Sequence, residues 1–122
     1  MEALGHLQLR IMLHIWQHGP STVHQVHQAL NAQLGVNQLA YSTILTVLRN
    51  LTKRRFLNRD VVGRQHRFTP LILKADYQRQ MVRQMRMELF GGNAERMLAC
   101  IAGDDGIDAI KRSRITEIAA GR

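Results

Sequence analysis

The sequence predicts a mainly α-helical fold of the α+β class, on the evidence of two patterns and one property of composition. Apolar residues recur at the helical period through most of the 122 residues. A single stretch, residues 56–70, changes to the alternation that is typical of a β-hairpin. Aromatic residues make up 5% of the chain, which favours helices packed by Leu, Ile and Val over a β-sandwich.

The first predicted helix spans residues 4–18. It ends at Gly19-Pro20, because glycine favours a helix C-terminus and proline cannot continue the helix. The residues of its apolar stripe are Leu4, Leu7, Ile11 and Ile15, with Met12 and Trp16 beside them.

The second helix is predicted over about residues 23–34. Thr22 and Gln25 have the capping-box spacing at its start, and Gly35 is expected to end it. The residues expected to be buried are Val23, Val26, Leu30 and Leu34. A short polar link over residues 36–39 then leads to a third helix.

The third helix lies within AYSTILTVLRNLTKRR, residues 40–55, which contains no carboxylate. Its apolar face consists of Ile44, Val47, Leu48 and Leu51. The polar side of the helix presents hydroxyl groups, an amide and cations from Ser42, Thr46, Arg49, Lys53, Asn50 and Arg54. A solvated helix face ordinarily mixes acids with bases, so this one is predicted to contact a negatively charged partner.

Two strands, residues 56–61 and 65–70, are predicted to form the hairpin, and Gly63 supplies the turn between them. The hairpin carries Arg59, Arg64 and Arg67, and Pro70 closes its second strand. Beyond it, helices are predicted over residues 74–90, 93–102 and 107–119, with Gly91-Gly92 separating the first two.

The positive charge is concentrated in the first part of the chain. The formal net charge is +8, and residues 1–74 carry 9 Lys/Arg against 2 Asp/Glu, whereas residues 75–122 carry 8 against 7. Such clustering predicts a polyanionic partner, with nucleic acid ahead of an anionic membrane. The alternative is a basic face that serves solubility alone.

Three helices followed by a hairpin are the order of a winged helix-turn-helix. In that fold the third helix enters the DNA major groove, and the hairpin, or wing, follows the backbone. Short polar side chains near the start of the third helix let it approach base edges, which predicts base contacts by Ser42, Thr43 and Thr46. The residues predicted to contact the DNA backbone are Tyr41, Asn50, Lys53, Arg54, Arg55, Arg64 and Arg67.

The chain is therefore predicted to contain a winged-helix DNA-binding domain, residues 1–72, followed by a helical dimerisation region, residues 73–122. A winged helix by itself does not need the apolar side chains of the second region. The residues predicted to form a dimer are Tyr77, Met81, Val82, Met85, Leu89, Met97 and Leu98.

At these residues the chain resembles the penicillinase-repressor family, the winged-helix regulators of the BlaI/MecI/CopY type. The matching stretches are LGHLQLRIMLHIWQHGPSTVHQVHQAL, AYSTILTVLRNLTKRRFLNRDVVGRQHRFTP and LFGG, within about residues 4–101. The resemblance implies a homodimeric repressor on a dyad-symmetric operator, with the dimer formed by the C-terminal helices. It also implies that Arg49 joins the base contacts and that Arg64 and Gln65 lie at the wing tip.

The chain departs from the family pattern in three places. Arg55 stands where family members usually have glycine. Ala99-Cys100 aligns with the Asn–Phe bond that is cut in penicillin-responsive members, and the paired Cys-x-Cys motifs of copper-responsive members are missing. The DNA-binding half thus matches better than the signal-sensing half, and an unknown inducer or protease is left open as a partner.

Histidine, methionine and cysteine residues offer alternative sites. His14 with His18, and His24 with His27, have spacings that can chelate a divalent ion. No carboxylate or cysteine lies nearby in sequence, so surface positions or phosphate contacts are predicted instead of a metal site.

The methionines favour packing between protomers over a soft copper(I) site. The residues concerned are Met81, Met85, Met87 and Met97. Cys100 is expected to be a small buried residue, and a redox sensor near the dimer axis is the alternative.

No motif for catalysis or for a cofactor is present, so an enzyme is not predicted. The lone cysteine, the absence of an apolar run of about 18 residues and the absence of a secretory signature predict a cytoplasmic protein without a membrane partner. The sequence therefore predicts a sequence-specific transcriptional repressor that binds a double-stranded DNA operator as a homodimer. The alternatives are a non-specific architectural DNA-binding protein and a winged helix whose basic face binds an acidic protein.

Overall fold

The computed structural model describes residues 2–34 and 38–121, and the prediction of a mainly α-helical fold with one hairpin is confirmed. The elements in chain order are α1 (His6–His18), β1 (Ser21–Thr22), α2 (Val23–Leu34), α3 (Tyr41–Lys53), β2 (Leu57–Val62), β3 (Gln65–Pro70), α4 (Lys74–Phe90), α5 (Ala94–Ala102) and α6 (Ala109–Ala119). The expectations for the Leu34 side chain, Gly35 and residues 36 and 37 lie outside the described residues. The chain divides into two compact units, Met1–Tyr77 and Gln78–Arg122.

The core of the first unit is built from the apolar faces of α1, α2 and α3 and from the base of the hairpin. The side chains with at most 1% exposure are Ile11, Met12, Ile15, Val26, Leu30, Ile44, Leu48, Leu51, Phe56, Leu57 and Phe68. In α1 the core lies toward the C-terminal half of the helix, since Leu4 and Leu7 are only half-buried and Leu4 precedes the first helical turn.

A three-stranded antiparallel sheet in the order β1-β3-β2 completes this unit. β2 and β3 pair from Leu57 opposite Pro70 to Val62 opposite Gln65, so the turn is the two residues Gly63-Arg64. Gly63 has a φ of 65°, which is the left-handed conformation that this tight turn requires.

The two-residue strand β1 was not predicted, because the sequence at Ser21 and Thr22 indicates only the N-terminus of a helix. The predicted capping box is confirmed: Thr22 N–H donates to Gln25 Oε1 at 2.9 Å, and Gln25 N–H donates to Thr22 Oγ1 at 3.2 Å. The same two residues also pair with Phe68 and Arg67 of β3, and so tie the start of α2 to the hairpin.

The second unit is helical and has almost no core of its own. Asn93 caps α5 by accepting from Arg96 N–H, and Asp108 caps α6 by accepting from Lys111 N–H. Among its described residues, 78–121, Ala102 alone is buried. No helix within the described ranges has the length and apolarity needed to cross a membrane.

Candidate nucleic-acid interface

The polar face of α3 is open to solvent along its length. Ile44, Leu48 and Leu51 are fully buried and hold the opposite face of the helix in the core. The exposed residues on the polar face are Ser42, Thr43, Thr46, Arg49, Asn50 and Lys53. A helix held by one buried face and free on the other is the arrangement that insertion into a groove requires.

Thr46 presents acceptors and a methyl group to the outside. Its Oγ1 donates a hydrogen bond to the Ser42 carbonyl oxygen at 2.9 Å, so the hydroxyl hydrogen is already used within the helix. The lone pairs of that oxygen are left to accept from a base amino group, and the methyl group suits contact with a thymine methyl.

Two grooves without acidic residues flank α3. The first has a volume of about 370 Å³ and lies between the C-terminal half of α3 and the wing, lined by Arg49, Thr52, Lys53, Asn58, Arg59 and Phe68. The second has a volume of about 240 Å³ and is lined by Thr22, Val23, His24, Tyr41, Leu45, Arg49, Arg64, Gln65 and His66. Arg49 lines both grooves, at the point where α3 and the wing meet.

Arg59 belongs to the predicted basic hairpin, and the strand register shows which way it faces. Arg59 pairs with the buried Phe68, so both lie on the sheet face that is turned toward α3. His24 and His66 enter the second groove for a similar reason, because β1 and β3 bring the start of α2 beside the wing.

The wing residues Arg64, Gln65 and Arg67 are all exposed. Arg64 lies in the two-residue turn and therefore at the tip, next to Gln65 at the start of β3. Arg67 is directly opposite Asp60 in the strand register, so the single carboxylate of the wing reduces the positive charge at that position.

Asn50 and Arg54 are engaged within the domain instead of being free on its surface. The Arg54 guanidinium donates to Gln8 Oε1 at 2.8 Å and to the Glu2 carbonyl at 3.0 Å, and lies 5.0 Å from the centre of the Phe56 ring. Asn50 Oδ1 accepts from Gln8 Nε2. Both side chains thereby link α3 to the N-terminal segment, and we leave them out of the proposed contact set.

Arg55 has a left-handed backbone with a φ of 62°, the only positive φ of a non-glycine residue among those described. Phe56 N–H donates to the Leu51 carbonyl at 3.0 Å, and Arg55 N–H donates to the Thr52 carbonyl at 3.1 Å. These two bonds, with Phe56 and Leu51 both buried in the core, form the Schellman motif that glycine usually closes. A side chain at this position costs about 1 kcal/mol relative to glycine.

His14 and His18, one turn apart on α1, interact with each other. The rings of His14 and His18 stack with centroids 4.3 Å apart, and His18 Nδ1 bonds the His14 carbonyl oxygen. Partial burial, and secondarily the charge of His18, lower the pKa of His14 from its ordinary value. Within the described ranges, no group of three or more His, Cys, Asp or Glu residues is placed to hold a metal ion.

The expectation that Cys100 is buried is wrong for the single chain, because its side chain is exposed. The buried residue of α5 is Ala102, two residues after Cys100, and Met97 and Leu98 are half-buried.

The residues predicted to form a dimer differ in exposure. Val82, Met85 and Leu89 are 54%, 47% and 72% exposed, and Met81 is half-buried. Tyr77 is instead 7% exposed: its hydroxyl accepts from Leu4 N–H at 3.0 Å, and its ring lies against Trp16 and Phe56. Packing within the first unit accounts for Tyr77, and we leave it out of the proposed dimer surface.

The chain is similar in sequence to known transcriptional regulators. Residues 4–120 match the family model of the penicillinase repressors. The chain is 41% identical over 69 residues to proteins named transcriptional regulator BlaI from the Mycobacterium tuberculosis strains CDC 1551 / Oshkosh and ATCC 25618 / H37Rv. That match covers 56% of this chain and 48% of each relative, so the chain spans about half the length of these curated relatives.

Among solved structures, the chain is similar to the solution structure of the DNA-binding domain of the repressor BlaI. The TM-score is 0.52 and the identity is 29%, over 63% of this chain and 94% of that one. This likeness confirms the predicted winged-helix fold.

Proposed function

Because the chain belongs to the penicillinase repressor family, we propose that it is a transcriptional repressor that binds a double-stranded DNA operator in a sequence-specific way. The observation that carries the proposal is the exposed face of α3, which presents Ser42, Thr43, Thr46 and Arg49 between two grooves without acidic residues. Hydroxyl groups occupy the part of the helix that would approach bases, and cations occupy its flanks.

In the proposed complex, α3 lies in the major groove and the wing follows the adjacent backbone. Ser42, Thr43, Thr46 and Arg49 contact base edges. The residues proposed to contact the DNA backbone are Tyr41, Lys53, Arg55, Arg59, Arg64, Gln65 and Arg67. Phosphate contacts supply most of the affinity and make it depend on salt, and the few base contacts supply specificity.

We further propose that the repressor is a homodimer whose surface is formed by α4, α5 and α6. The support is the composition of the second unit, which buries Ala102 alone among its described residues. It exposes large apolar side chains at Val82, Met85, Met87, Leu89, Ile101, Ile110 and Ile118. Apolar side chains exposed in such number on a small helical unit mark an interaction surface. Two protomers related by a dyad place two copies of α3 on half-sites about one helical turn apart or a multiple of it.

Selection of bound duplexes from a random pool by the full-length chain tests this proposal. We expect a palindromic consensus, followed by binding to that duplex at least about a thousandfold tighter than to random duplex at physiological salt. Binding without any enriched sequence would instead indicate a non-specific architectural protein. Loss of all duplex binding at physiological salt would indicate that the basic face serves an acidic protein.

A further inference from the structure

A side chain of α2 holds Leu39, two residues before the start of α3. Asn31 Oδ1 accepts a hydrogen bond from Leu39 N–H at 2.7 Å, and Asn31 Nδ2 donates to the Leu39 carbonyl oxygen at 3.1 Å. One amide therefore pairs with both backbone polar groups of a residue eight positions along the chain. We call this pairing the Asn31 clamp.

His27, one turn before Asn31 on the same helix, supports the Asn31 clamp. Its Nε2 lies 2.9 Å from the Leu39 carbonyl oxygen and 2.9 Å from Asn31 Nδ2. With Nε2 protonated, His27 donates to the carbonyl; with Nε2 unprotonated, it accepts from Asn31, so either tautomer adds a bond. The ring of His27 also meets the ring of Tyr41, the first residue of α3, edge to face at 5.7 Å.

The clamp stands where α3 lacks a cap of its own. The N-cap residue is Ala40, which makes no side-chain hydrogen bond, and the first turn of α3 contains no acidic residue. A helix start with neither a side-chain cap nor an acidic first turn is poorly held by its local sequence. Within the described residues, the side-chain hydrogen bonds to the segment that enters α3 come from Asn31 and His27, through Leu39.

We propose that Asn31 is a positioning residue for base recognition: it acts through Leu39 to set where the first turn of α3 stands. The inference rests on the proposed function, because it assigns Asn31 a part in reading the operator. Base-edge hydrogen bonds tolerate misplacement of only about 0.5 Å. Contacts between long cationic side chains and phosphates adapt more easily. Loss of the clamp therefore impairs specific binding more than binding to random duplex.

Asn31→Ala in the full-length chain tests the proposal against both kinds of duplex. We expect affinity for the selected operator to fall about tenfold, as for the loss of one or two neutral hydrogen bonds, and affinity for random duplex to change by less than about twofold. Gln33→Ala is the matched control, because it removes an amide from an exposed position of the same helix. It should leave both affinities unchanged.

Hydrogen exchange without DNA measures the clamp directly. The Leu39 amide should exchange at least about tenfold faster in Asn31→Ala than in the wild type, whereas Gln33→Ala should match the wild type. Equal losses on operator and random duplex, or an unchanged Leu39 exchange rate, would overturn the inference. A wild-type chain without sequence preference would overturn the proposed function instead, and the exchange rate would still decide whether Asn31 holds Leu39.

Discussion

At the scale of a single residue, Arg55 combines a strained backbone with an exposed positive charge. Its left-handed φ of 62° closes the Schellman motif after α3, where glycine would be free of strain. Its side chain is exposed and makes no hydrogen bond or ion pair with the residues that the structure describes. The strain thus has no compensating contact among the described residues, and a DNA phosphate is the partner that we propose.

Arg55→Gly should stabilise the protein and weaken DNA binding at the same time. Relief of the left-handed strain is expected to raise the free energy of unfolding by about 1 kcal/mol, or the melting temperature of the first unit by about 4–8 °C. Loss of one phosphate contact should lower the slope of log affinity against log salt by about 0.9. Thermal unfolding and a salt titration of duplex binding measure the two effects.

Arg55→Ala separates the two effects, since alanine removes the charge and keeps the strain. It should weaken binding as much as Arg55→Gly does, without the gain in stability. A stabilised Arg55→Gly protein with an unchanged salt slope would contradict the phosphate contact.

At the scale of elements, α3 and the wing are expected to divide recognition between them. α3 carries short polar groups above a buried apolar face, whereas the wing presents exposed arginines on a hairpin whose base alone is buried. The first element is therefore suited to reading bases and the second to holding the backbone.

Thr46→Ala should reduce affinity for the operator by about fivefold or more and leave affinity for random duplex nearly unchanged, because it removes a base contact. Arg64→Ala should instead lower both affinities and reduce the salt slope by about 0.9. Duplex titrations over a range of salt concentrations distinguish the two patterns.

Thr52→Ala is a control for Thr46→Ala on the same helix, because the Thr52 hydroxyl donates to the Leu48 carbonyl and the residue is half-buried. Equal losses on both duplexes for Thr46→Ala would argue against base reading by α3.

At the scale of the whole molecule, the first unit has a hydrophobic core and the second unit has almost none. Leu89 is 72% exposed in the single chain, so Leu89→Glu should cost the isolated protomer little and place a charge in the proposed dimer surface. We expect the variant to be a folded monomer by sedimentation, with much weaker operator binding. Leu73→Glu is the matched control, since Leu73 is 69% exposed, belongs to the first unit and lies outside the proposed DNA contacts. A Leu89→Glu protein that remains dimeric would move the interface elsewhere.

Truncation tests the same division from the other side, and the contacts of Trp16 and Tyr77 decide where the cut should fall. A chain ending at Pro70 lacks the Ile72 carbonyl that accepts from Trp16 Nε1 at 2.8 Å, and it also lacks the buried Tyr77. A chain ending at Arg79 keeps both. It should fold as a monomer and bind the operator weakly, whereas dimerisation of this fragment would contradict the assignment.

The pattern of side chains was enough to predict most of the elements. Both predicted bounds of α2 and α4 match the structure, and the predicted hairpin differs by one residue at each end of its first strand. These segments have strong periodicity, glycines at their ends and a capping box, all of which are local properties of the chain. The exposed face of α3 was predicted on the same basis.

The surroundings of each candidate residue depended on contacts between distant segments. Arg54 reads as a surface cation, yet it bonds Gln8 and Glu2. Arg59 joins the groove beside α3 because of the strand register, and Tyr77 belongs to the core of the first unit because of Leu4 and Trp16.

The sequence by itself determined most of the elements, the acid-free face of α3 and the family, because periodicity, charge and motif spacing are local properties of the chain. Only the tertiary structure decided which cations remain free and how α3 is held at its start. The Asn31 clamp joins a residue of α2 to Leu39 in the link that leads to α3, and an amide in a helix gives no local sign of the carbonyl that it will meet. Even for Arg55, whose sequence position suggests a place in the helix cap, only the backbone φ and the hydrogen bonds of the structure show that the strain is present.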